Sequence, residues 1–313
     1  MSISRREVLR NLPWLALSPA LAAAGSDTPV APVIEFPAGA RERLAVTSWP
    51  FRAVIDAPHN RYFDRTKPGM DLKEFPAMVV RRFEVHKINP LTSHFQSLDP
   101  SYVEAFRQAV EKAGSQVVDL GLGDGNFYDA DKFQRRAAIE RGREGIDLAV
   151  AVGSRSVRQH VSGARGAVPN VALAAESLGE LAGYGAKKGV VVNLENDSPG
   201  AEDPFFLVGV IEKANNPYLR GLPDFGNSLN TYDAARNRQA VAAMFRHVFN
   251  MCHVKDSVQG PGGKTMEVDL PAMFRIAKES GYKGYFSMEY DTAGRDPFAG
   301  TEKLVALSLR YLA

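Results

Sequence analysis

The sequence lacks the features that would place it outside ordinary globular proteins. Its single cysteine, Cys252, excludes a scaffold of intramolecular disulfides. Charge of neither sign dominates, because the chain has 38 Lys and Arg and 36 Asp and Glu. The net charge therefore gives little reason to expect a nucleic-acid partner. A hydrophobic fraction of 45% and a charged fraction of 24% exclude a disordered chain. The 313 residues suit one large α/β domain or two ordinary domains.

The first 24 residues have the pattern of a cleavable export signal. A basic start at Arg5 and Arg6 precedes a short apolar run and the small residues Ala22–Ala24. Pro13 and Pro19 interrupt the apolar run, which is too short to span a bilayer. The paired arginines resemble a twin-arginine signal, which implies a bacterial protein exported to the periplasm by the twin-arginine machinery.

The excess positive charge belongs to this segment. Residues 1–24 hold three arginines and one glutamate, so removing them leaves 35 basic and 35 acidic residues. The predicted mature chain is therefore formally neutral, and we expect neither a nucleic-acid partner nor a stable membrane anchor. Residues 25–42, which include Pro29, Pro32 and Pro37, are expected to form an extended lead-in.

From residue 43 onward, β-branched runs alternate with segments of helical periodicity, and no linker divides them. Apolar strands that alternate with amphipathic helices predict a parallel sheet buried on both faces. Eight such units in about 270 residues predict a (β/α)8 TIM barrel over residues 43–313. A doubly wound sheet would usually have a glycine-rich turn where this chain has Thr47–Phe51. The predicted strands are Leu44–Trp49, Arg82–Ile88, Gln116–Leu122, Arg155–Val161, Gly189–Glu195, Tyr218–Asp224, Val248–Val254 and Gly284–Glu289.

Helical periodicity marks six segments between and after these strands. Three of them are followed by a glycine that is expected to cap the helix, namely Gly114, Gly189 and Gly281. The predicted helices are Tyr102–Ala113, Lys132–Val150, Ala172–Lys187, Thr231–Arg246, Leu270–Ser280 and Thr301–Tyr311.

A ligand-type residue stands at the end of each of the last four predicted strands: Glu195, Asp224, His253 and Glu289. They are separated by about one strand-helix unit each, so their side chains are expected to converge at the carboxyl end of a barrel. Three carboxylates and an imidazole would repel one another in a dry pocket without a cation. Their oxygen and nitrogen atoms suit Mn²⁺, Mg²⁺ or Co²⁺, with Zn²⁺ not excluded. The alternative is that each acid caps the following helix.

These four residues resemble the Glu–Asp–His–Glu metal set of the xylose-isomerase-like barrels, which include sugar isomerases, epimerases, dehydratases and a repair nuclease. The resemblance covers residues 43–312 and rests on the phrases Leu194–Asn196, Pro223–Asn227 and His253–Asp256. It implies that Glu195 and Glu289 act as base and acid on opposite faces of the reacting carbon, while the Asp and His only bind the metal.

Two positions depart from the pattern of the ketose epimerases. Asn227 stands where they carry a histidine three residues after the metal Asp, and Gln259 stands where they carry an arginine. The nuclease needs further histidines, so the Asn227 position also argues against DNA repair. Asn227 is instead expected to contact a substrate.

Further residues at strand ends are expected to contact a small substrate. Lys255 lies two residues past His253 and would face the same side, where it could bind a developing oxyanion; the alternative is an ion pair with Asp256. Trp49 could stack on a sugar, and His86 and His160 could bind hydroxyl groups or transfer protons. Packing and structural roles are the alternatives for these three residues.

The leading hypothesis is a periplasmic, Mn²⁺-dependent sugar isomerase or epimerase that abstracts a proton next to a carbonyl and forms an enediolate. A lyase or dehydratase acting on a keto-sugar or 3-keto-glycoside is the first alternative, because it uses the same site. A carbohydrate-binding barrel without activity is the second. A homo-oligomer is compatible with each of these hypotheses.

Overall fold

Eight parallel strand positions surround a central core, and each is followed by a helix. The computed structural model describes residues 30–197, 200–291 and 296–313. β3 and β4 share the third position, while β9 and β10 form a separate antiparallel hairpin. The strands are β1 (Leu44–Thr47), β2 (Lys87–Asn89), β3 (Gln116–Val117), β4 (Leu120–Asn126), β5 (Ser156–Ser162), β6 (Val191–Glu195), β7 (Leu219–Leu222), β8 (Met251–Val254), β9 (Ser257–Gln259), β10 (Thr265–Glu267) and β11 (Tyr285–Met288).

The strands close on themselves. One sheet has the order β3-β2-β1-β11-β8 and the other has the order β4-β5-β6-β7. Parallel bridges join the two sheets on both sides, Leu91 with Gly121 on one side and Asp224 with His253 on the other. The result is the (β/α)8 TIM barrel that the sequence predicts.

Side-chain caps at the amino ends and left-handed residues at the carboxyl ends define most of the helices. The described helices are α1 (Phe75–Phe83), α2 (Pro100–Lys112), α3 (Lys132–Ala151), α4 (Val171–Lys188), α5 (Pro204–Ala214), α6 (Ala234–Phe245), α7 (Leu270–Glu279) and α8 (Pro297–Leu312). Asp203, for example, accepts hydrogen bonds from the backbone amides of Phe205 and Phe206 at the start of α5. None of these described helices is long and apolar enough to cross a membrane.

Two helices and one strand differ from the sequence prediction. The predicted strand Arg82–Ile88 is wrong in its first half, because α1 continues to Phe83 and β2 begins only at Lys87. The prediction also omits α1 and α5. Both of these helices end without glycine, in the left-handed residues Glu84 (φ 53°) and Asn215 (φ 46°).

A layer of hydrogen-bonded polar side chains fills the middle of the barrel. Asn193 Nδ2 donates to Asp119 Oδ1 at 3.1 Å and to Asn250 Oδ1 at 3.0 Å. Ser156 Oγ donates to Asp119 Oδ1 at 2.5 Å, and Asn250 Nδ2 donates to Ser156 Oγ at 2.9 Å. Burial raises the pKa of Asp119, although its hydrogen-bond partners and Arg158 oppose this effect. This polar layer supports the carboxyl ends of the strands from below.

The lead-in covers the opposite end of the barrel. Phe36 packs edge-to-face on Tyr285, the first residue of β11, with ring centroids 5.6 Å apart. Residues 30–37 form no helix or strand, and a short 3-10 turn, Arg41–Arg43, leads into β1. The predicted export signal, residues 1–24, lies outside the described residues.

Candidate metal centre

The four predicted ligands come together at the carboxyl end of the barrel. Glu195 ends β6, His253 lies in β8, and Asp224 and Glu289 follow β7 and β11. One ligand atom from each residue lies within 4.8 Å of those of the other three. All four side chains are buried, with residue exposures of 0–6%. Four neighbouring strands thus direct three carboxylates and one imidazole at a common point.

The orientation of His253 directs its Nδ1 at two carboxylates. Nδ1 lies 2.5 Å from Glu195 Oε1 and 2.8 Å from Glu289 Oε2, while Nε2 lies 3.2 Å from Asn89 Oδ1. Asn89 is oriented by its Nδ2, which donates to Asp119 Oδ2 at 3.4 Å. An Nε2–H that donates to Asn89 leaves Nδ1 unprotonated in the neutral ring. A cation between Nδ1 and the two carboxylates would satisfy all three groups.

Two buried oxygens of the cluster, Asp224 Oδ2 and Glu289 Oε2, accept no hydrogen bond. Their nearest cationic groups are Lys255 Nζ, 3.5 Å from the first, and His253 Nδ1, 2.8 Å from the second. The other oxygen of Asp224 accepts from the backbone amides of Gly226 at 2.8 Å and Asn227 at 2.7 Å. Asp224 therefore caps the turn after β7 with one oxygen and keeps the other for a ligand. This donor set fits a hard or intermediate divalent cation.

The electrostatics of the cluster show the same need for positive charge. Burial raises the pKa of Asp224 to about 7, although Lys255 opposes this effect. Burial alone would lower the pKa of His253, but Glu195 and Glu289 outweigh it and raise this pKa to about 10. Without a metal ion, a proton on His253 would replace part of the missing charge.

Lys255 points into the site rather than toward Asp256. Its Nζ lies 2.7 Å from Asn227 Oδ1, 3.1 Å from Glu289 Oε1 and 3.5 Å from Asp224 Oδ2. Asp256 pairs instead with Lys303 at 2.8 Å. Asn227 is held in turn by its Nδ2, which donates to the backbone oxygen of Asn196 at 3.1 Å. Lys255 and Asn227 thus form one unit beside the carboxylates.

Arg158, in β5, is a central residue of the site that the sequence analysis omits. One guanidinium nitrogen, Nη1, lies 2.5 Å from Glu195 Oε2 and 2.7 Å from His160 Nε2. Arginine only donates, so His160 Nε2 accepts, and His160 Nδ1 carries the proton toward Glu202 at 2.7 Å. Arg158 therefore connects the metal cluster to His160. The predicted strand Arg155–Val161 contains two arginines, and the register of β5 with β6 shows which of them faces the site.

A cavity of about 190 Å³ opens directly above the cluster. Its walls include Trp49, Arg158, His160, Lys255 and Glu289. The cavity also contacts two acids that the sequence analysis does not name, Asp197 and Asp291. The predicted substrate residues Trp49, His160 and Lys255 are therefore placed where a small ligand could reach them.

His86 is a correction, because it lies at the other end of the barrel. It precedes β2, is exposed, and its Nδ1 lies 2.8 Å from the backbone oxygen of Gly114. The histidine that does follow β2 is His94, which is buried and whose Nδ1 lies 2.8 Å from Ser48 Oγ. Gln259 also lies away from the cavity, since its Nε2 donates to Thr265 Oγ1 within the β9–β10 hairpin.

Comparison with known proteins identifies the family to which this barrel belongs. Residues 81–313 match the family model described as xylose isomerase-like TIM barrel. A comparison with curated proteins found no match.

Solved structures show the same fold. A xylose isomerase-like TIM barrel protein from Mycobacterium smegmatis, in complex with magnesium, has 20% identity and a TM-score of 0.65, covering 88% of this chain and 98% of its own. An L-ribulose 3-epimerase has 16% identity and a TM-score of 0.65, with coverages of 86% and 95%. A 3-keto-D-glucoside 4-epimerase from E. coli has 18% identity and a TM-score of 0.60, with coverages of 77% and 94%.

Proposed function

Because the chain belongs to the xylose isomerase-like TIM barrel family, we propose that it is a divalent-metal-dependent sugar isomerase or epimerase. The observation that carries this proposal is the convergence of Glu195, Asp224, His253 and Glu289 at the barrel mouth. The likeness to sugar epimerases supports the same class of enzyme. Mn²⁺ is the preferred ion, with Mg²⁺, Co²⁺ and Zn²⁺ as alternatives.

The residues around the cluster have separate tasks in proton transfer. A divalent cation would polarise a carbonyl and the neighbouring oxygen of the substrate. Glu289 and Glu195 flank the reacting carbon, and one of them removes the proton next to the carbonyl to give an enediolate. Lys255, with Nζ 3.1 Å from Glu289 Oε1, is placed to donate a hydrogen bond to the developing oxyanion. Trp49 and His160, which line the cavity, orient the sugar. Asn227 was expected to contact the substrate, but it is buried outside the cavity lining and instead holds Lys255 at 2.7 Å.

One observation favours the lyase alternative, elimination from a keto-sugar or 3-keto-glycoside. Arg158 occupies Glu195 Oε2 at 2.5 Å, and arginine does not give up its proton. Glu289 is engaged by Lys255 at 3.1 Å, but a lysine, unlike an arginine, can give up its proton, so Glu289 is better placed than Glu195 to act as the base. Elimination needs one base beside the ketone and a donor for the departing oxygen, whereas epimerisation at one carbon uses a group on each face.

We also propose that the enzyme works outside the cytoplasm. The support is the basic, apolar and small-residue pattern of residues 1–24, with the paired Arg5 and Arg6 of a twin-arginine signal. The partners would then be the export machinery and a neutral sugar or keto-sugar. A homo-oligomer is compatible with the proposal.

The experiment that tests the reaction is exchange of protons with solvent. The purified protein, loaded with Mn²⁺, is incubated with keto-sugars in D₂O and followed by NMR. We expect deuterium at a carbon next to the carbonyl, and we expect Glu289→Gln to abolish this exchange and Glu195→Gln to abolish or strongly reduce it. Glu176→Gln, on the exposed face of α4, is the matched control and should exchange at the wild-type rate.

The products separate the alternatives. A product that differs from an isomer of the substrate only by deuterium at the reacting carbon identifies an isomerase or epimerase, whereas loss of water or of an alcohol identifies a lyase. Binding of keto-sugars without exchange and without any product would contradict both enzyme hypotheses and favour a carbohydrate-binding barrel. Failure to bind Mn²⁺, Mg²⁺, Co²⁺ or Zn²⁺ would contradict the metal centre itself.

A further inference from the structure

The mouth of the barrel contains two hollows that meet. The inner hollow above the metal cluster has a volume of about 190 Å³, and the outer hollow beside it has about 410 Å³. Trp49, Ser93, His160 and Asp197 line both of them. Sites for small ligands usually enclose roughly 300–1,000 Å³, so the inner hollow alone is small for a complete substrate. The outer hollow therefore belongs to the space that a substrate can use.

An aromatic pair forms one wall of the outer hollow. Trp49 and Tyr62 meet edge-to-face, with ring centroids 5.2 Å apart and an interplanar angle of 87°. Arg52 covers Trp49 with its guanidinium carbon 4.2 Å from the ring centroid and pairs with Asp291 at 2.9 Å. Tyr62 remains 42% exposed. Arg61 lies over this ring with its guanidinium carbon 4.9 Å from the centroid. The part of the ring that stays exposed offers apolar surface beside a charged edge, which suits the C–H face of a sugar.

Buried groups hold this pair in place before any ligand binds. Asn60 is only 2% exposed, and its Nδ2 donates to the backbone oxygens of Arg52 at 2.7 Å and Ile55 at 2.6 Å. Its Oδ1 accepts from the backbone amide of Tyr62 at 3.1 Å. Trp49 Nε1 donates to Asp291 Oδ1 at 3.2 Å. A rigid wall reduces the entropy lost when a ligand stacks on it.

The polar groups of the outer hollow carry mixed charge. Arg61 stands near Asp124, and Glu202 is engaged by His160. Mixed charge of this kind does not select a phosphate or a carboxylate, both of which need clustered cations. It does suit hydroxyl groups, which donate and accept hydrogen bonds.

We propose that the substrate has two rings: a keto-sugar whose carbonyl end enters the inner hollow, and a second neutral sugar ring that lies in the outer hollow against Tyr62. This inference rests on the proposed function, because that function places the reacting carbonyl in the inner hollow. It narrows the proposed substrate from any sugar to a glycoside of two sugar units. Tyr62 is then a specificity residue without a part in proton transfer.

The kinetic test compares one-ring and two-ring probes. The probes are C3-oxidised methyl glucoside and C3-oxidised maltose, assayed with the full-length protein loaded with Mn²⁺. We expect the wild type to prefer the oxidised maltose in kcat/KM. Tyr62→Ala should reduce this preference about tenfold, as expected for losing one stacked ring. Tyr62→Phe should restore it, and Phe133→Ala, which removes another exposed aromatic ring, should leave it at the wild-type value.

A binding test works without turnover. The sequence has two tryptophans, Trp14 and Trp49, so Trp14→Phe leaves Trp49 as the sole indole, at the junction of the hollows. In that background, maltose should change the fluorescence at concentrations about tenfold lower than methyl glucoside does, and Tyr62→Ala should remove the difference.

The two tests separate this inference from the proposed function. Turnover of both keto-sugars with equal kcat/KM overturns the two-ring substrate and leaves the metal-dependent reaction standing. Fluorescence that favours maltose without turnover of either keto-sugar supports the outer hollow as a sugar site and contradicts the proposed reaction. Fluorescence that responds to neither maltose nor methyl glucoside, or equally to both, overturns the two-ring substrate.

Discussion

Nη1 of Arg158 lies 2.5 Å from Oε2 of Glu195, and both side chains are almost completely shielded from water. The other oxygen of Glu195 faces His253 at 2.5 Å. Arg158 therefore fixes the rotation of a carboxylate that we propose as a metal ligand. It also carries positive charge into a cluster of acids, which the protein would otherwise have to compensate with protons.

Replacing Arg158 should destabilise the protein far more than replacing an exposed arginine. Arg158→Met leaves Glu195 buried beside one fewer cation, so we expect a loss of about 3–5 kcal/mol in the free energy of unfolding. Urea denaturation of the metal-free protein measures this loss. Arg107→Met is the matched control, because Arg107 pairs with Glu104 and Glu111 on an exposed helix face. It should cost less than about 1 kcal/mol. Equal losses would contradict the role of Arg158.

Asn89 should control metal affinity without touching the metal. Its Oδ1 accepts from Nε2 of His253 and thereby leaves Nδ1 free to bind a cation. We expect Asn89→Ala to weaken Mn²⁺ binding roughly 10- to 100-fold, as is usual for groups that orient a ligand. Isothermal titration of the chelator-treated protein measures this change. Asn170→Ala removes an exposed amide whose Oδ1 accepts from the backbone of α4, so it should leave the affinity unchanged.

His94 should make stability depend on pH in mildly acidic solution. Burial, and to a smaller extent Arg52, lowers the pKa of His94 to about 4. The unfolded chain binds its proton near pH ~6.5, so stability is complete above that pH and falls as the pH drops toward 4. The expected loss is on the order of 3 kcal/mol. His94→Gln should show a shallower decline in urea denaturation between these values. An unchanged slope would show that His94 is not the group responsible.

Two glycines of α4 should respond in opposite ways to a methyl group. A Cβ at Gly185 would lie 2.3 Å from the backbone oxygen of Val190, next to β6. Gly185→Ala should therefore destabilise the protein by about 1–3 kcal/mol. A Cβ at Gly183 meets nothing within 4 Å, so Gly183→Ala should stabilise the protein by about 0.5–1 kcal/mol. Thermal unfolding of the two variants makes the comparison, and a gain from Gly185→Ala would contradict the described packing.

The convergence of the proposed metal ligands could be predicted from the sequence because a parallel barrel brings all strand ends to one face. Glu195, His253 and Glu289 each stand at the end of an apolar run, so their convergence requires only the correct fold. Arg158 was harder to find, since its direction depends on the register of β5 against its neighbours. The position of Asp291 in the cavity wall could not be predicted, because it depends on the path of the chain directly after β11.

The errors in the fold prediction begin with the omission of α1. The prediction includes helices that no glycine follows directly, such as Thr231–Arg246, so a missing glycine alone does not explain the omission. α5 ends in Asn215, a residue type that favours the left-handed conformation, whereas α1 ends in Glu84, which does not, so α1 gives no local signal of its end. With α1 omitted, the second strand is predicted too early, and His86 is assigned to the wrong end of the barrel.

The contact between Phe36 and Tyr285 determines how the protein can be attached to a surface. It places the chain ahead of β1 at the end of the barrel opposite the two hollows. A linker joined to that segment would lead away from the mouth, so immobilisation through the amino end would leave the substrate entrance facing solution. Residues near the mouth, such as Tyr62, would instead be the positions at which a bulky label obstructs entry.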